Sequence, residues 1–258
     1  MCLIISHRGY CNESGVIENT SAAMICAIRM GATAIEFDIH MAKCGTMLLF
    51  HNYSFDNNNT TYYITETTYD DIRSMIPSVE TLDEFLVNIH RAIPLTTISQ
   101  LTCVVDVKTS LFCDEINLFG TSLLDCLSLY RSRGFNFVTT SFNHSFVRTF
   151  VRTFVPTDES TDESTDEPIG VIIYHVPSKQ DIEMSEFPEW IGTDHSQISV
   201  GLVDTMHRYG KKIFAYTPNT EVEIQKCINA GVDGIYTDEL ELAQRINGVN
   251  KTIYTDVI

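Results

Sequence analysis

Short apolar runs rich in β-branched residues recur along the whole chain, and each is bounded by polar or turn-forming residues. Runs of this length and composition are typical of buried strands. They predict eight strands, over Leu3–Ser6, Ala34–Ile39, Cys103–Val107, Phe137–Thr140, Gly170–Tyr174, Trp190–Thr193, Lys212–Tyr216 and Gly234–Tyr236.

Segments with apolar residues at helical spacing separate most of these strands. The predicted helices span Thr20–Met30, Leu82–Ala92, Asp114–Arg133, His144–Phe154, Gly201–Tyr209 and Glu221–Ala230. The alternation of strands and helices predicts parallel strand pairing. Eight strands in 258 residues favour a closed (β/α)8 TIM barrel over an open, doubly wound sheet, and we expect residues 1–258 to form this single α/β domain.

Two segments interrupt the alternation. Residues 41–77 follow the second strand and show no helical pattern, only a strand-like run at Thr46–Phe50 and a polar tract at Asp56–Thr61. Long connections in compact domains are commonly functional, so we expect this insertion to have a function. The other segment, Thr157–Glu167, carries six acids and no base in a TDES repeat, which predicts a solvated, acidic, low-complexity loop.

The charge and composition exclude several classes of protein. The chain has 34 acidic and 17 basic residues, a formal charge of −17, which argues against a nucleic-acid partner and against docking on anionic membranes. No window approaches 18 uninterrupted apolar residues, and the opening MCLIISHRG does not resemble a signal peptide, so we expect no membrane insertion. None of the eight cysteines forms a C-x-x-C pair, so we expect no zinc ribbon. We expect no disulfide framework in a domain of this size, and therefore a reducing compartment, the cytoplasm.

Carboxylates cluster at the ends of two predicted strands, where the active site of a parallel barrel lies. Glu36 and Asp38 are two residues apart and therefore point to one face of the second strand, and Asp106 lies near the end of the third. Three carboxylates placed in this way suit a hard divalent cation, Mg²⁺ or Ca²⁺. The alternative is that Glu36 and Asp38 are solvated strand-end charges, which the apolar residues around them disfavour.

Basic side chains occur at the same ends of the strands. His7 and Arg8 directly follow the first strand, Lys108 follows the third, and His51 follows the strand-like run in the insertion. Histidines near neutral pKa exchange protons, and basic groups neutralise an anion. Further polar residues end or follow the later strands, namely Ser141, His175, Asp194, His195, Tyr216, Asn219 and Asp238.

These motifs resemble those of the glycerophosphodiester phosphodiesterase family, a branch of the phospholipase-C-like TIM barrels. The family's H-R-G, P-E-N-T, E-x-D, H-D, E-x-K, S-F, W-T-x-N and G-V-D-G-I-I-T-D motifs have counterparts here in the same order. The counterparts are His7-Arg8-Gly9, Glu18-Asn19-Thr20, Glu36-x-Asp38, His51-Asn52, Asp106-x-Lys108, Ser141-Phe142, Tyr216-Thr217-x-Asn219 and Gly231–Asp238.

The resemblance implies metal-dependent hydrolysis of small-molecule glycerophosphodiesters to glycerol 3-phosphate and an alcohol. It leaves open whether the glycerol hydroxyl of the substrate attacks first, giving a cyclic phosphate, or water attacks directly. The insertion would cap the barrel mouth. The implied site residues are His7 and His51 as the acid–base pair, Arg8, Lys108 and Tyr216 for the substrate, and Glu36, Asp38 and Asp106 for one divalent cation, Mg²⁺ or Ca²⁺.

The chain departs from the family pattern at Ile17 and Cys44, where we expect little effect, and at three positions that concern the site. Asn52 replaces an aspartate, and its amide oxygen still accepts a hydrogen bond but brings no charge. Asp106 replaces a glutamate and is one methylene shorter, so the metal would shift or be reached through water. Tyr216 replaces a tryptophan and keeps an aromatic wall.

Two other hypotheses stand beside hydrolysis of a soluble glycerophosphodiester. The first is a lysophospholipase-D-type enzyme on the same barrel, which would need an apolar mouth, whereas the loops are rich in Asn, Thr and acids. The second is a barrel that binds a phosphorylated ligand or a protein partner without turnover, and Asn52 and Asp106 are its support.

Overall fold

A computed structural model of the chain describes residues 2–10, 15–109, 113–154, 169–173 and 188–248. Over residues 113–117, 151–154 and 169–173 it describes the backbone alone. The predicted acidic loop Thr157–Glu167 and the strand-end residue His175 lie outside the described residues. None of the described helices is both long enough and apolar enough to cross a bilayer.

Eight parallel strands form a closed barrel, as predicted. In chain order, leaving out three short strands of the insertion, they are β1 (Leu3–His7), β2 (Ala34–Met41), β6 (Thr102–Val107), β7 (Asn136–Ser141), β8 (Ile169–Ile173), β9 (Trp190–Asp194), β10 (Lys212–Tyr216) and β11 (Gly234–Thr237). Each strand pairs in parallel with the next along this list, and the pairings of β1 with both β11 and β2 close the ring. The predicted TIM-barrel fold is therefore confirmed, and each predicted strand lies within a residue or two of an observed one.

Helices follow the barrel strands in sequence. They are α1 (Ser21–Arg29), α3 (Leu82–Ala92), α4 (Leu95–Ile98), α5 (Cys113–Arg131), α6 (His144–Phe154), α7 (Val200–Arg208), α8 (Glu221–Ala230) and α9 (Leu240–Ile246). Threonine hydroxyls cap several of their N-termini, and Thr81 and Thr220 form full capping boxes with Glu84 and Glu223. The caps explain why the helix starts could be predicted from the sequence.

The insertion after β2 contains more structure than its sequence predicted. It begins with β3 (Met47–Leu49), which pairs antiparallel with the end of β2, and continues with a hairpin of β4 (Ser54–Asn57) and β5 (Thr60–Tyr63). Asn58 and Asn59 turn the hairpin with positive φ angles of 49° and 62°, which asparagine tolerates. The polar tract is thus a hairpin.

The expectation of no helix between residues 41 and 77 is wrong. Helix α2 (Tyr69–Met75) lies there, with Thr68 as its N-cap. Only Ile72 in this helix is buried, so the helical periodicity of apolar residues is too weak to detect. Ile72 and Ile64 pack with Leu48 in a small apolar cluster, which attaches the insertion to the barrel.

The alternation of side chains along each strand separates two apolar layers. One face packs against the helices, and the other fills the barrel interior with residues that include Ile5, Val104, Trp190 and Phe214. The same alternation turns polar side chains inward where the strands end. In the register of the sheet, Asp38 pairs with Asp106.

Replacement of Gly234 by alanine tests how closely the barrel interior is packed. A Cβ atom there would lie 2.7 Å from Cδ1 of Phe214 and 2.8 Å from the carbonyl oxygen of Leu3, both in neighbouring strands. We expect Gly234→Ala to lower the free energy of unfolding by about 1–3 kcal/mol, measured by urea denaturation. The control is Gly201→Ala in α7, where nothing lies within 4 Å of the added atom. A Gly234→Ala protein as stable as the wild type would contradict the packing described.

Candidate active site

The structure brings all of the predicted site residues together around one cavity at the carboxyl ends of the strands, with a volume of about 110 Å³. Phe142, Thr217 and Tyr236 also line it. The predicted residues that line it are His7, Arg8, Glu36, Asp38, His51, Asp106, Lys108 and Tyr216.

The three predicted metal-holding carboxylates form a compact buried group. Glu36, Asp38 and Asp106 each offer an oxygen within 4.8 Å of the others, and their exposed fractions are 3%, 1% and 2%. They are therefore not solvated strand-end charges, and that alternative is wrong. Burial, together with the neighbouring charge of Asp38, raises the pKa of Glu36 to about 8.

Two basic side chains compensate part of this negative charge. Nζ of Lys108 lies 2.8 Å from Oδ1 of Asp38 and 2.5 Å from Oδ2 of Asp106. Nε of Arg8 lies 3.3 Å from Oδ2 of Asp38, and its Nη1 donates to Glu18. Burial would raise the pKa of Asp38, but Lys108 and Arg8 outweigh it and the pKa is lowered. Asp38 is thus the carboxylate most firmly held in its charged form.

The loop after β1 is shaped to reach these carboxylates. Arg8 has a positive φ of 54°, and its backbone N–H donates to Oε2 of Glu36 at 3.0 Å. Gly9 follows with a φ of 86°, and a Cβ atom there would lie 2.7 Å from backbone and side-chain carbons of Ala23. Only glycine fits this turn, because both its backbone conformation and its contact with α1 exclude a side chain.

Asn19 fixes the orientation of Asp38. Its side-chain N–H donates to Oδ2 of Asp38 at 2.8 Å, and its side-chain oxygen accepts from the backbone N–H of Asp38 at 2.9 Å. Asn19 is itself buried and lies directly before the N-cap of α1. This pairing gives the segment Glu18-Asn19-Thr20 before α1 a physical role in the site.

The donor atoms of the carboxylate group suit a hard divalent cation. All its candidate donors are oxygens, the ligand atoms that Mg²⁺ and Ca²⁺ prefer. Three buried carboxylates share this group with two basic side chains, Lys108 and Arg8. Glu36, Asp38 and Asp106 could therefore hold such an ion.

His7 is held at the cavity by a carboxylate that the sequence analysis gave no role. Its Nδ1 lies 2.7 Å from Oδ1 of Asp238, which follows β11. The other oxygen of Asp238 accepts from Nδ2 of Asn219 at 2.6 Å, and Oδ1 of Asn219 accepts from the backbone N–H of Asp238 at 2.9 Å. Burial alone would lower the pKa of His7, but the hydrogen bond to Asp238 and the charge of Glu36 raise it.

His51 has a different environment. Its Nδ1 lies 2.9 Å from Oδ1 of Asn52, a neutral acceptor. Burial lowers the pKa of His51, and Arg8 and Lys108 lower it further against the opposing effect of Asp38. The two histidines at this cavity therefore have pKa values displaced in opposite directions.

An aromatic wall closes one side of the cavity. The rings of Phe142 and Tyr216 meet edge to face with centroids 5.7 Å apart, and Nζ of Lys108 lies 5.2 Å from the centroid of Phe142. Phe142 follows β7 and Tyr216 ends β10, so residues far apart in the chain form this wall.

Sequence reasoning missed the roles of Asp238 and Asn219, although both were noted as strand-end polar residues. The available signal was their position, since the carboxyl end of β11 neighbours that of β1, which carries His7. Of the other noted residues, Ser141 instead donates to the carbonyl oxygen of Val107 and is buried in the wall of the barrel.

Comparison with known proteins agrees with this geometry. The model of the glycerophosphoryl diester phosphodiesterase family matches residues 7–148 and 175–242 of the chain. A glycerophosphodiester phosphodiesterase from Caldanaerobacter subterraneus subsp. tengcongensis is 23% identical over 250 residues, which cover 93% of this chain and 95% of that protein.

Solved structures with the same fold are similar over nearly the whole chain. A glycerophosphodiester phosphodiesterase from Parabacteroides distasonis has a TM-score of 0.77 at 17% identity, covering 95% of this chain and 96% of that one. An Oleispira antarctica phosphodiesterase in complex with the product sn-glycerol-3-phosphate has a TM-score of 0.76 at 18% identity, with the same coverage. These likenesses establish the fold, and the family match confirms the resemblance carried by the motifs.

Proposed function

The chain belongs to the glycerophosphoryl diester phosphodiesterase family, and from that premise we propose that it hydrolyses glycerophosphodiesters to glycerol 3-phosphate and an alcohol. The observation that carries the proposal is the juxtaposition of a buried carboxylate group with two histidines of opposite pKa displacement around one cavity. The named product of the similar Oleispira antarctica phosphodiesterase supports glycerol 3-phosphate as a product.

The charge at the cavity suits a phosphodiester. A divalent cation held by Glu36, Asp38 and Asp106 would supply charge neutralisation and polarisation of the phosphoryl oxygens when bound. Arg8 and Lys108 line the same cavity and add positive charge for a phosphate oxygen. The ion pairs of both side chains with Asp38 also hold them at the cavity.

We assign His7 as the general acid. Its Nδ1 is engaged by Asp238, so Nε2 is the ring nitrogen that can give a proton to the leaving alcohol. The raised pKa keeps the ring protonated above the pH at which an ordinary histidine is neutral.

We assign His51 as the general base. A proton on Nδ1 is donated to the amide oxygen of Asn52, which leaves the lone pair of Nε2 to accept a proton. The lowered pKa keeps this ring neutral near pH 7, as a base requires. The replacement of aspartate by Asn52 is thus compatible with the role, because the amide orients the ring without bringing a charge, and the pKa of His51 stays lowered despite this hydrogen bond.

Proton transfers accompany the bond changes at phosphorus. His51 takes the proton of the attacking hydroxyl as its oxygen forms the new P–O bond, and His7 gives a proton to the departing alcohol oxygen as the old P–O bond breaks. If the attacking hydroxyl belongs to water, this step gives glycerol 3-phosphate and the alcohol directly. If it is the substrate's own glycerol hydroxyl, the step gives a cyclic phosphate and the alcohol, and water then forms a new P–O bond as the ring P–O bond breaks, which gives glycerol 3-phosphate. Tyr216 and Phe142 would form the aromatic wall beside the substrate.

A hydrolysis assay with metal removal tests the proposal. We expect the purified chain to release glycerol 3-phosphate from glycerophosphocholine, EDTA to abolish the release, and Mg²⁺ or Ca²⁺ to restore it. Replacement of His7 or His51 by alanine should each lower kcat/KM by about 10²–10⁴-fold, since each removes one proton transfer. His90→Ala, an exposed position in α3, is the control and should leave kcat/KM unchanged.

Three results of this assay would contradict the proposal. They are undiminished turnover after EDTA treatment, undiminished turnover in the His7 or His51 variant, and faster turnover of lysophosphatidylcholine than of glycerophosphocholine. The last result would favour a lysophospholipase-D-type activity.

The pH dependence of kcat/KM tests the acid and base assignments. The rate should fall at low pH as His51 becomes protonated and at high pH as His7 loses its proton. Asp238→Asn removes the carboxylate that raises the pKa of His7, so burial then dominates and the high-pH limb should move to lower pH. The low-pH limb, set by His51, should stay in place.

The control for this profile is Asp233→Asn. Oδ2 of Asp233 lies 2.8 Å from Nε2 of His207, so the substitution removes the carboxylate of a histidine–carboxylate pair that lies outside the cavity. It should move neither limb of the pH profile. A high-pH limb that stays in place in Asp238→Asn, or moves to higher pH, would refute the assignment of His7 as the acid.

A further inference from the structure

His40 is a fully buried histidine on β2 that the mechanism above does not use. Its exposed fraction is 0%, and it follows Glu36 and Asp38 at the next two-residue step along the same face of the strand. It lies in the part of β2 that pairs with β3, opposite Leu48. Its side chain does not line the cavity, so any effect on the reaction passes through a neighbouring residue.

The proposed base, His51, lies on a short segment between two strands. Because β3 ends at Leu49 and β4 begins at Ser54, the backbone groups in between lie outside the strand ladders and need other partners. The backbone N–H of Phe50 donates to the carbonyl oxygen of Asp38 at 3.2 Å. This bond ties the start of the segment to β2.

The imidazole of His40 supplies a second tie to β2. Its Nε2 lies 3.4 Å from the backbone carbonyl oxygen of His51. Because a carbonyl oxygen only accepts, Nε2 is the ring nitrogen that carries the proton and donates it to this bond. The rings of His40 and Tyr53 meet edge to face, with centroids 5.3 Å apart and an interplanar angle of 87°. His40 therefore contacts the segment at the base itself and two residues beyond it.

Two contacts together define where the His51 ring points. The contact of its Nδ1 with Oδ1 of Asn52, at 2.9 Å, sets the rotation of the ring. The bond from His40 holds the backbone from which the ring projects. A general base must lie within about 2.6–3.2 Å of the group whose proton it takes, so the position of this backbone matters for catalysis.

We propose that His40 is a positioning residue for the general base, whose Nε2–H holds the backbone carbonyl of His51 and so sets the reach of the His51 ring into the cavity. This inference rests on the proposed function, because it takes His51 as the base. Loss of the bond should lower kcat, since it displaces a group that acts in the transition state, and should leave KM unchanged.

Two substitutions separate the hydrogen bond from the packing of the ring. His40→Phe keeps an aromatic ring beside Tyr53 and removes the donor, and we expect kcat for glycerophosphocholine to fall by about 10–100-fold, as a displacement near 1 Å can cause. His40→Gln removes the ring and keeps an N–H donor at a similar reach, so its kcat should stay close to that of the wild type. In both variants KM should equal that of the wild type, and so should the Kd of Mg²⁺ or Ca²⁺ in titration calorimetry.

The matched control is His90→Phe. His90 is an exposed histidine of α3 that also contacts an aromatic ring, with its centroid 6.3 Å from that of Phe135. This substitution should leave kcat unchanged.

A double-mutant cycle tests whether the effect passes through His51. In a protein that already carries His51→Ala, the further change His40→Phe should not lower the remaining rate. An equal loss of rate in both backgrounds would show that His40 acts by another route and would overturn the inference.

A shorter amide keeps the test decisive where His40→Phe does not fold. His40→Asn carries the same donor as His40→Gln on a side chain one methylene shorter, which does not reach the carbonyl oxygen of His51. Its kcat should therefore fall below that of His40→Gln. Circular dichroism and thermal unfolding of all the variants separate loss of fold from loss of rate.

The failures of this inference and of the proposed function are distinguishable. A folded His40→Phe protein with the kcat of the wild type, a His40→Gln protein as slow as His40→Phe, or a raised cation Kd in His40→Phe would overturn this inference alone. A wild type that releases no glycerol 3-phosphate, or a His51→Ala protein with undiminished turnover, would overturn the proposed function and this inference with it.

Discussion

The burial of three carboxylates at one end of a parallel barrel is the constraint on which the rest of the site depends. Glu36, Asp38 and Asp106 repel one another in a region shielded from water, so the fold must surround them with donors and positive charge. Lys108 and the loop after β1 supply part of that compensation. The three carboxylates could hold a cation, and in the proposed function that cation, with Lys108 and Arg8, would make an overall acidic protein suitable for a small anionic substrate.

In the proposed mechanism, one cavity contains both an acid and a base. His7 is paired with a carboxylate, whereas His51 is paired with the amide of Asn52 and lies near two basic side chains. Burial lowers the pKa of both rings. At His7 the hydrogen bond to Asp238 and the charge of Glu36 outweigh burial, whereas at His51 Arg8 and Lys108 add to it. In the proposed mechanism, Asn52 orients His51 without bringing a charge.

Much of the fold could be predicted because its signals are local: apolar strand runs, threonine caps and strand-end motifs. The TIM barrel and the family are confirmed, while the roles of the site residues, the extent of the domain and the cytoplasmic location stay predictions. Helix α2 could not be predicted, because Ile72 is its single buried residue. The pairing of His7 with Asp238 joins distant residues and depends on the contact between β1 and β11 in the closed barrel, and the pairing of Trp190 with Tyr236 joins the two strands that flank β10.

Anomalous diffraction from crystals grown with Mn²⁺ tests most directly whether the three carboxylates hold a cation. Mn²⁺ prefers the same oxygen ligands as Mg²⁺, and its scattering locates it without reference to activity. We expect one strong anomalous peak among the carboxylate oxygens of Glu36, Asp38 and Asp106. A peak bound elsewhere in the barrel, with none among these three carboxylates, would contradict it.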